Sequence, residues 1–248
     1  DVNGSKSLKE IWHAFVKVVT NGRLILLIII ITGFWMVQHQ LYATMPKYVI
    51  RLAGESAAPS WYANVNPLVV VLTVGLVTSI MKKRTALQSM TVGMLIMPIS
   101  ALLMSSGNLL NVTEVNLGLF SLHPVAFMMI IGIMFQATAE SFISPRYLEY
   151  FSKQAPKGEE GLYLGFSHLH SFLSSILGFS LSGVLLEKYL PNPELPQYIN
   201  NREAWLEASA NAHHIWFYFV GIALVAAISL IIYGRITKKI DKQKEIIT

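Results

Sequence analysis

The sequence predicts an all-α membrane protein with six transmembrane helices, built as an inverted repeat of three and three. Three observations carry this. The chain is 53% hydrophobic and only 13% charged over 248 residues, whereas a soluble domain carries about 25% charged residues, so it cannot clothe a water-facing surface. Its apolar residues fall into six continuous runs close to the roughly 20 residues that cross a bilayer as a helix. Its basic residues gather on alternate loops. The runs are too long and too continuous for the alternating strands of about ten residues of a membrane barrel, and backbone in lipid must satisfy its own hydrogen bonds, which a helix does.

In chain order, a polar stretch over residues 1–6 precedes Ser7, which with Glu10 forms a helix-opening capping box. Leu8, Ile11, Trp12, Phe15 and Val19 then recur at helical spacing, bordered by Lys6, Lys9 and Lys17. This is the pattern of a basic amphipathic helix lying on a membrane surface. Span one runs from Leu24 to Thr44 and contains Gln38, His39 and Gln40. Span two runs from Asn66 to Met81 and stops at Lys82, Lys83 and Arg84. Span three covers Ala86 to Ser105. Span four covers Pro124 to Ile143, holds Glu140 and meets Pro145. Span five runs from Leu162 to Leu186, and span six from Ile215 to Tyr233. Residues 1–22 read as a cytoplasmic linker, 23–234 as the six-helix domain and 235–248 as a basic cytoplasmic tail. Spans one to three and four to six each open with a helix carrying polar groups, the unit from which inverted three-helix repeats are made.

The amino-terminal segment, the second and fourth loops and the tail hold fifteen of the nineteen basic residues. By the positive-inside rule both termini are cytoplasmic, and the plasma (inner) membrane is the expected location. The net charge of +5 is therefore topological, and no nucleic-acid partner is expected. With no cysteine there is no disulfide framework and no thiolate metal site. No cofactor is expected, and no phosphate loop, catalytic carboxylate pair or serine elbow suggests an enzyme. The chain opens on Asp1 with no signal peptide and reads as a piece of a longer protein.

Glu140 is the one acidic residue well inside an apolar run. An ionisable group at that depth faces a cavity or a partner, and one that can take up and release a proton suits a proton carrier. The competing reading is a carboxylate reaching the cytoplasmic interface. Of Gln38, His39 and Gln40, at most two can face one cavity, and His39 can titrate near physiological pH. Asn66, before Pro67, caps a helix or lines a cavity, capping being favoured by the residues alone. His168 and His170, beside Ser167, are two apart rather than the four of a helical metal pair, so no metal site is expected. Ser174, Gly178 and Ser182 repeat every four residues and suit close helix packing. Trp35, Trp61, Trp205 and Trp216 read as interfacial belt residues. Asn111, Val112 and Thr113 fit a glycosylation sequon.

Glu140 followed by Ser144 and Pro145 resembles the tenth-helix motif of the proton-coupled oligopeptide transporters of the major facilitator superfamily. Asn66 with Pro67 resembles the start of that family's eighth helix. Phe34 and Trp35 with Gln40 resemble its seventh helix, and Ala155 with Pro156 the connector to its eleventh. The resemblance implies the carboxy-terminal half of a major facilitator fold, with the six spans as helices seven to twelve. It implies that Glu140 meets the amino terminus of a small peptide, with Asn66 nearby. Gln40, Ser144 and Ser167 are the further expected substrate contacts, and Glu140, His39 and His168 the expected proton or gating groups. His39 stands where the family has an acidic residue, and no tryptophan is found near Ser167 and His168. The expected activity is proton-coupled symport of small peptides, with a missing amino-terminal six-helix half, protons and the bilayer as partners. The alternatives are a carrier of another small solute, or a membrane scaffold or receptor without transport.

Overall fold

The computed structural model describes residues 7–110, 112–118 and 120–247. The polar stretch 1–6 and Asn111 of the sequon lie outside them. Helix α1 (Leu8–Thr20) opens on the expected capping box, in which Glu10 accepts from the Ser7 amide at 2.7 Å and Ser7 Oγ accepts from the Glu10 amide at 3.3 Å. Its apolar stripe is divided. Ala14 and Val18 are buried, while Leu8 and Trp12 stay exposed.

Span one is longer than expected. Helix α2 (Gly22–Gln38) tightens into a 3-10 turn at His39–Leu41, and α3 (Met45–Ala53) completes the crossing. Pro46 explains the joint: it has no N–H to donate and its ring collides with the carbonyl four residues back. Gly54, at φ +88°, ends the segment in a conformation that favours glycine. Span two comprises a 3-10 turn at Glu55–Ala57, α4 (Ser60–Ala63) and α5 (Val65–Ile80). Span three is α6 (Ala86–Ser106), capped by Thr85 and Gln88. A two-residue hairpin, β1 (Val115–Asn116) against β2 (Ser121–Leu122), follows, with Val115 opposite Leu122. Span four is α7 (Pro124–Gln154), which continues through Pro145 and extends well beyond the expected end at Ile143. Span five is α8 (Glu160–Ser167) and α9 (Leu169–Tyr189), interrupted at His168. The polar loop after it contains α10 (Arg202–Ser209). Span six is α11 (His214–Ile247), which extends through the expected tail as helix.

The pairing of these spans has a symmetry. Span one packs on five and six, span four on two and three, and spans three and six pack on each other. Exchanging the first three spans for the last three maps each pairing onto another. Because equivalent helices are three places apart in a chain whose spans alternate in direction, the two triplets run in opposite directions, which makes this an inverted repeat.

One end of the bundle gathers the basic segments. Lys17 pairs with Glu159 at 3.5 Å, Arg23 with Asp241 at 2.7 Å, and Arg146 donates to the Met81 carbonyl at 2.9 Å. Near the other end the tryptophans depart from the belt reading. Trp216 is buried edge-on against Tyr48, and Trp205, also buried, donates to the Pro191 carbonyl. Among the described residues the Trp216 ring nitrogen finds no acceptor.

Glycines set the closest approaches. A Cβ on Gly93 of α6 would stand 2.6 Å from the Ala139 carbonyl oxygen and 2.6 Å from Ile143 Cγ1. The Gly93→Val protein should therefore lower the melting temperature in detergent, in line with the roughly 1–3 kcal/mol of overpacking. Gly183→Ala, where nothing lies within 4 Å, should not. Equal melting of the two would show that spans three and four are not in that contact.

Candidate functional site

The joint in span one shapes the site. At the end of α2 helical pairing runs out and the last carbonyls need other donors. Gln136 of α7 supplies them: its Nε2 donates to the Val37 carbonyl at 3.3 Å and to the Gln38 carbonyl at 3.0 Å. Gln136 is buried and lies one turn before Glu140 on the same face of α7. This clamp fixes Gln38 opposite Glu140. Gln38 Nε2 donates to Glu140 Oε2 at 2.7 Å and to Asn66 Oδ1 at 3.3 Å, and Asn66 Nδ2 donates to the same carboxylate oxygen at 3.1 Å.

Three spans thus meet at one carboxylate oxygen. Glu140 forms no ion pair among the described residues, and its Oε1 accepts no protein hydrogen bond there. Gln38 and Asn66 are buried while Glu140 is partly exposed. The cluster borders span two, the least covered of the six. A carboxylate with one oxygen held by two amides and the other unengaged can receive a cation such as a primary ammonium.

Asn66 does not cap its helix. The helix begins one residue earlier, at Val65, and the Asn66 amide is turned to Glu140 instead. Gln40 is not brought to the cluster. It lies two residues beyond Gln38, more than half a turn away. Fully buried, it donates to the Met36 and Gly178 carbonyls and accepts from Thr44, whose hydroxyl meets Ser182 at 2.7 Å. This is where the small residues of span five act: a Cβ on Gly178 would come within 3.2 Å of Gln40 Nε2.

Ser144 shares the Glu140 face one turn on, half-buried, and its hydroxyl forms no hydrogen bond among the described residues. Ser167 faces inward: its hydroxyl donates to the Leu164 carbonyl at 2.7 Å. Its own carbonyl, freed by the interruption at His168, receives the Tyr147 hydroxyl at 2.8 Å and contacts His170 Nδ1 at 2.6 Å. His168 is exposed, with its ring 5.9 Å from that of His170. Trp35 lies 5.3 Å from the His170 ring and 5.7 Å from the His39 ring. His39 Nδ1 stands 3.3 Å from Ser174 Oγ and 3.4 Å from Ser175 Oγ. The histidines therefore form a second group, between spans one and five. No set of three or more His, Cys, Asp or Glu residues suited to a metal ion occurs among the described residues.

The model of the family described as POT family matches residues 9–198. The chain belongs to the POT family. Its Glu140, Ser144 and Pro145 lie inside the matched region, as do Asn66 and Gln38. Among curated proteins, it is 26% identical over 190 residues to the multidrug resistance protein MdtH of Yersinia pestis (strain Pestoides F), covering 75% of this chain and 43% of that protein. MdtH of Yersinia pseudotuberculosis (serotype O:1b) matches to the same extent. The chain spans less than half the length of the curated relatives it matches. Family and fold together make this an integral membrane protein of a transporter family, not an enzyme.

Gln136 was passed over by sequence reasoning, which also took Gln40 rather than Gln38 from the polar trio of span one as a site group. A signal was present: Gln136 is a polar amide four residues before Glu140 in an apolar run. The absence of cysteine allows a clean test of the geometry. In single-cysteine proteins, Glu140→Cys should react with a small hydrophilic thiol reagent at least about tenfold faster than Gln40→Cys, because reactivity follows access. Equal rates would mean that Gln40 shares the open face.

Proposed function

We propose that this chain is the carboxy-terminal half of a proton-driven symporter of small peptides, and that Glu140 receives the peptide's amino terminus. The observation that carries the reading is the Glu140 carboxylate, held across three spans by Gln38 and Asn66 and free of any cationic partner among the described residues. A carboxylate inside a membrane is retained where it serves a substrate or proton path. Gln38, Asn66 and Ser144 complete the substrate side, and His39 with His168 forms a gating side toward span five. Gln40 and Ser167 act from behind it, through packing. Residues 1–22 lie as a linker on the cytoplasmic surface, with 23–234 in the membrane and 235–248 in the cytoplasm, in the plasma membrane. The exposed apolar faces of spans two and five receive the other six-helix half.

A second reading, carriage of a different small organic solute, draws on the name of the MdtH relatives. It also draws on the aromatic surround of His39, whose ring lies 5.7 Å from Trp35 and 5.8 Å from Phe179.

Uptake of a labelled dipeptide into liposomes by the full-length protein tests the first reading. An inward proton gradient should drive uptake by the wild type, Glu140→Gln should abolish it, and Gln38→Ala should reduce it about tenfold or more, the usual cost of losing a hydrogen bond to a charged group. Unchanged uptake by a folded Glu140→Gln protein would remove Glu140 from its role. Absence of dipeptide uptake by the wild type, with uptake of a lipophilic organic cation, would favour the second reading.

A further inference from the structure

One apolar groove in this bundle is not lined by Glu140. It lies between spans one and six, has a volume of about 790 Å³, and is walled by Leu26 and Ile29 on one side and Phe217 and Val225 on the other. Its floor is Gly33 and Gly221. Gly33 lets the spans close up, since a Cβ there would stand 2.9 Å from the Ala226 Cβ, while Gly221 has open space above it. The groove looks away from the transport site. Ile29 is nine residues from Gln38, about half a turn round α2. It therefore opens to lipid, not to the face that Glu140 shares.

One end of the groove is polar. The Tyr189 and Tyr218 hydroxyls, 2.9 Å apart, and His214 close it at the end of the bundle opposite the chain termini. Lys188 stands there with its Nζ 4.9 Å over the Tyr189 ring. It forms no ion pair among the described residues. Neither Lys188 nor Glu187 lines the groove itself; Lys188 reaches its mouth across the Tyr189 ring, and Glu187 lies about 100° further round the helix. From Tyr218 to Ser229 the groove runs roughly 16 Å along α11, about half of the roughly 30 Å hydrocarbon core. That is the depth of one leaflet.

We propose that this groove is a specific site for an anionic phospholipid of the leaflet opposite the termini. One acyl chain lies along Gly221 and Gly33, and the phosphate meets Lys188 and the two tyrosine hydroxyls. A slot one leaflet deep, with a cation and hydroxyl donors at its headgroup end, matches that molecule in length, polarity and charge.

The test titrates the full-length protein in detergent with phosphatidylglycerol or with phosphatidylcholine of the same acyl chains. It reads bound lipid by native mass spectrometry and stability by thermal unfolding. Phosphatidylglycerol should bind about tenfold more tightly than phosphatidylcholine, and Lys188→Gln should remove that preference. Gly221→Phe should fill the slot and abolish binding of both, with unfolding in lipid-free detergent unchanged. Leu26→Trp, which narrows the groove from the other wall, provides an independent variant should Gly221→Phe fail to fold. Equal affinity for the two lipids, or phosphatidylglycerol binding that survives both slot-filling changes, would overturn the proposal.

Discussion

A carboxylate within a bilayer has to be solvated by protein, and this requirement organises the structure around Glu140. On its inner side the donors come from the buried amides of Gln38 and Asn66, which hold Oε2, while Oε1 stays on the open face. Those amides belong to two other spans, and the cluster therefore fixes spans one, two and four relative to one another. Gln136 extends the same logic to the backbone. Its amide takes the carbonyls that the joint in span one leaves over, which makes the joint compatible with burial. Span five repeats the device in a different chemistry. There the interruption at His168 frees the Ser167 carbonyl, and Tyr147 of span four supplies the donor.

Much of this was legible in the sequence because hydrocarbon is an unforgiving solvent. Run length and charge placement located all six spans, and the capping box at Ser7 located the first helix to the residue. Glu140 stood out because a lone acidic residue in an apolar run has few innocuous explanations. What escaped was rotation and continuity. Sequence spacing shows that Gln38 and Gln40 face different ways, but not which faces Glu140, since that depends on how α2 sits against α7. Asn66 read as a cap because Pro67 favours a helix start; the chain instead begins the helix at Val65 and spends the amide on a tertiary bond. Span four read as ending at Ile143, before Pro145, yet α7 continues to Gln154. A proline is tolerated inside a transmembrane helix where its neighbours take up the freed backbone group. Trp216 read as a belt residue because depth was inferred without knowledge of which side of α11 turns inward.

The two triplets of spans share more than their packing order. Span two and span five both begin with a short helix and a one-residue interruption, at Asn64 and at His168. The second residues of the helices that follow are Asn66 and His170, and both are buried. Spans one and four each carry a proline beyond their polar centre, Pro46 and Pro145.

Glu140 lies as far into α7 from Pro124 as Gln38 lies into α2 from Gly22. The two residues stand at like depths from the starts of the helices that open each triplet, and they touch. Their bond therefore joins the first helix of one triplet to the first helix of the other. Two glutamates there would repel, and two glutamines would carry no charge. In this chain the contact is made between one donor and one acceptor. That single difference gives a packing scheme with two-fold symmetry a charged side and a neutral side, a polarity that the pairing of the spans, taken alone, does not have.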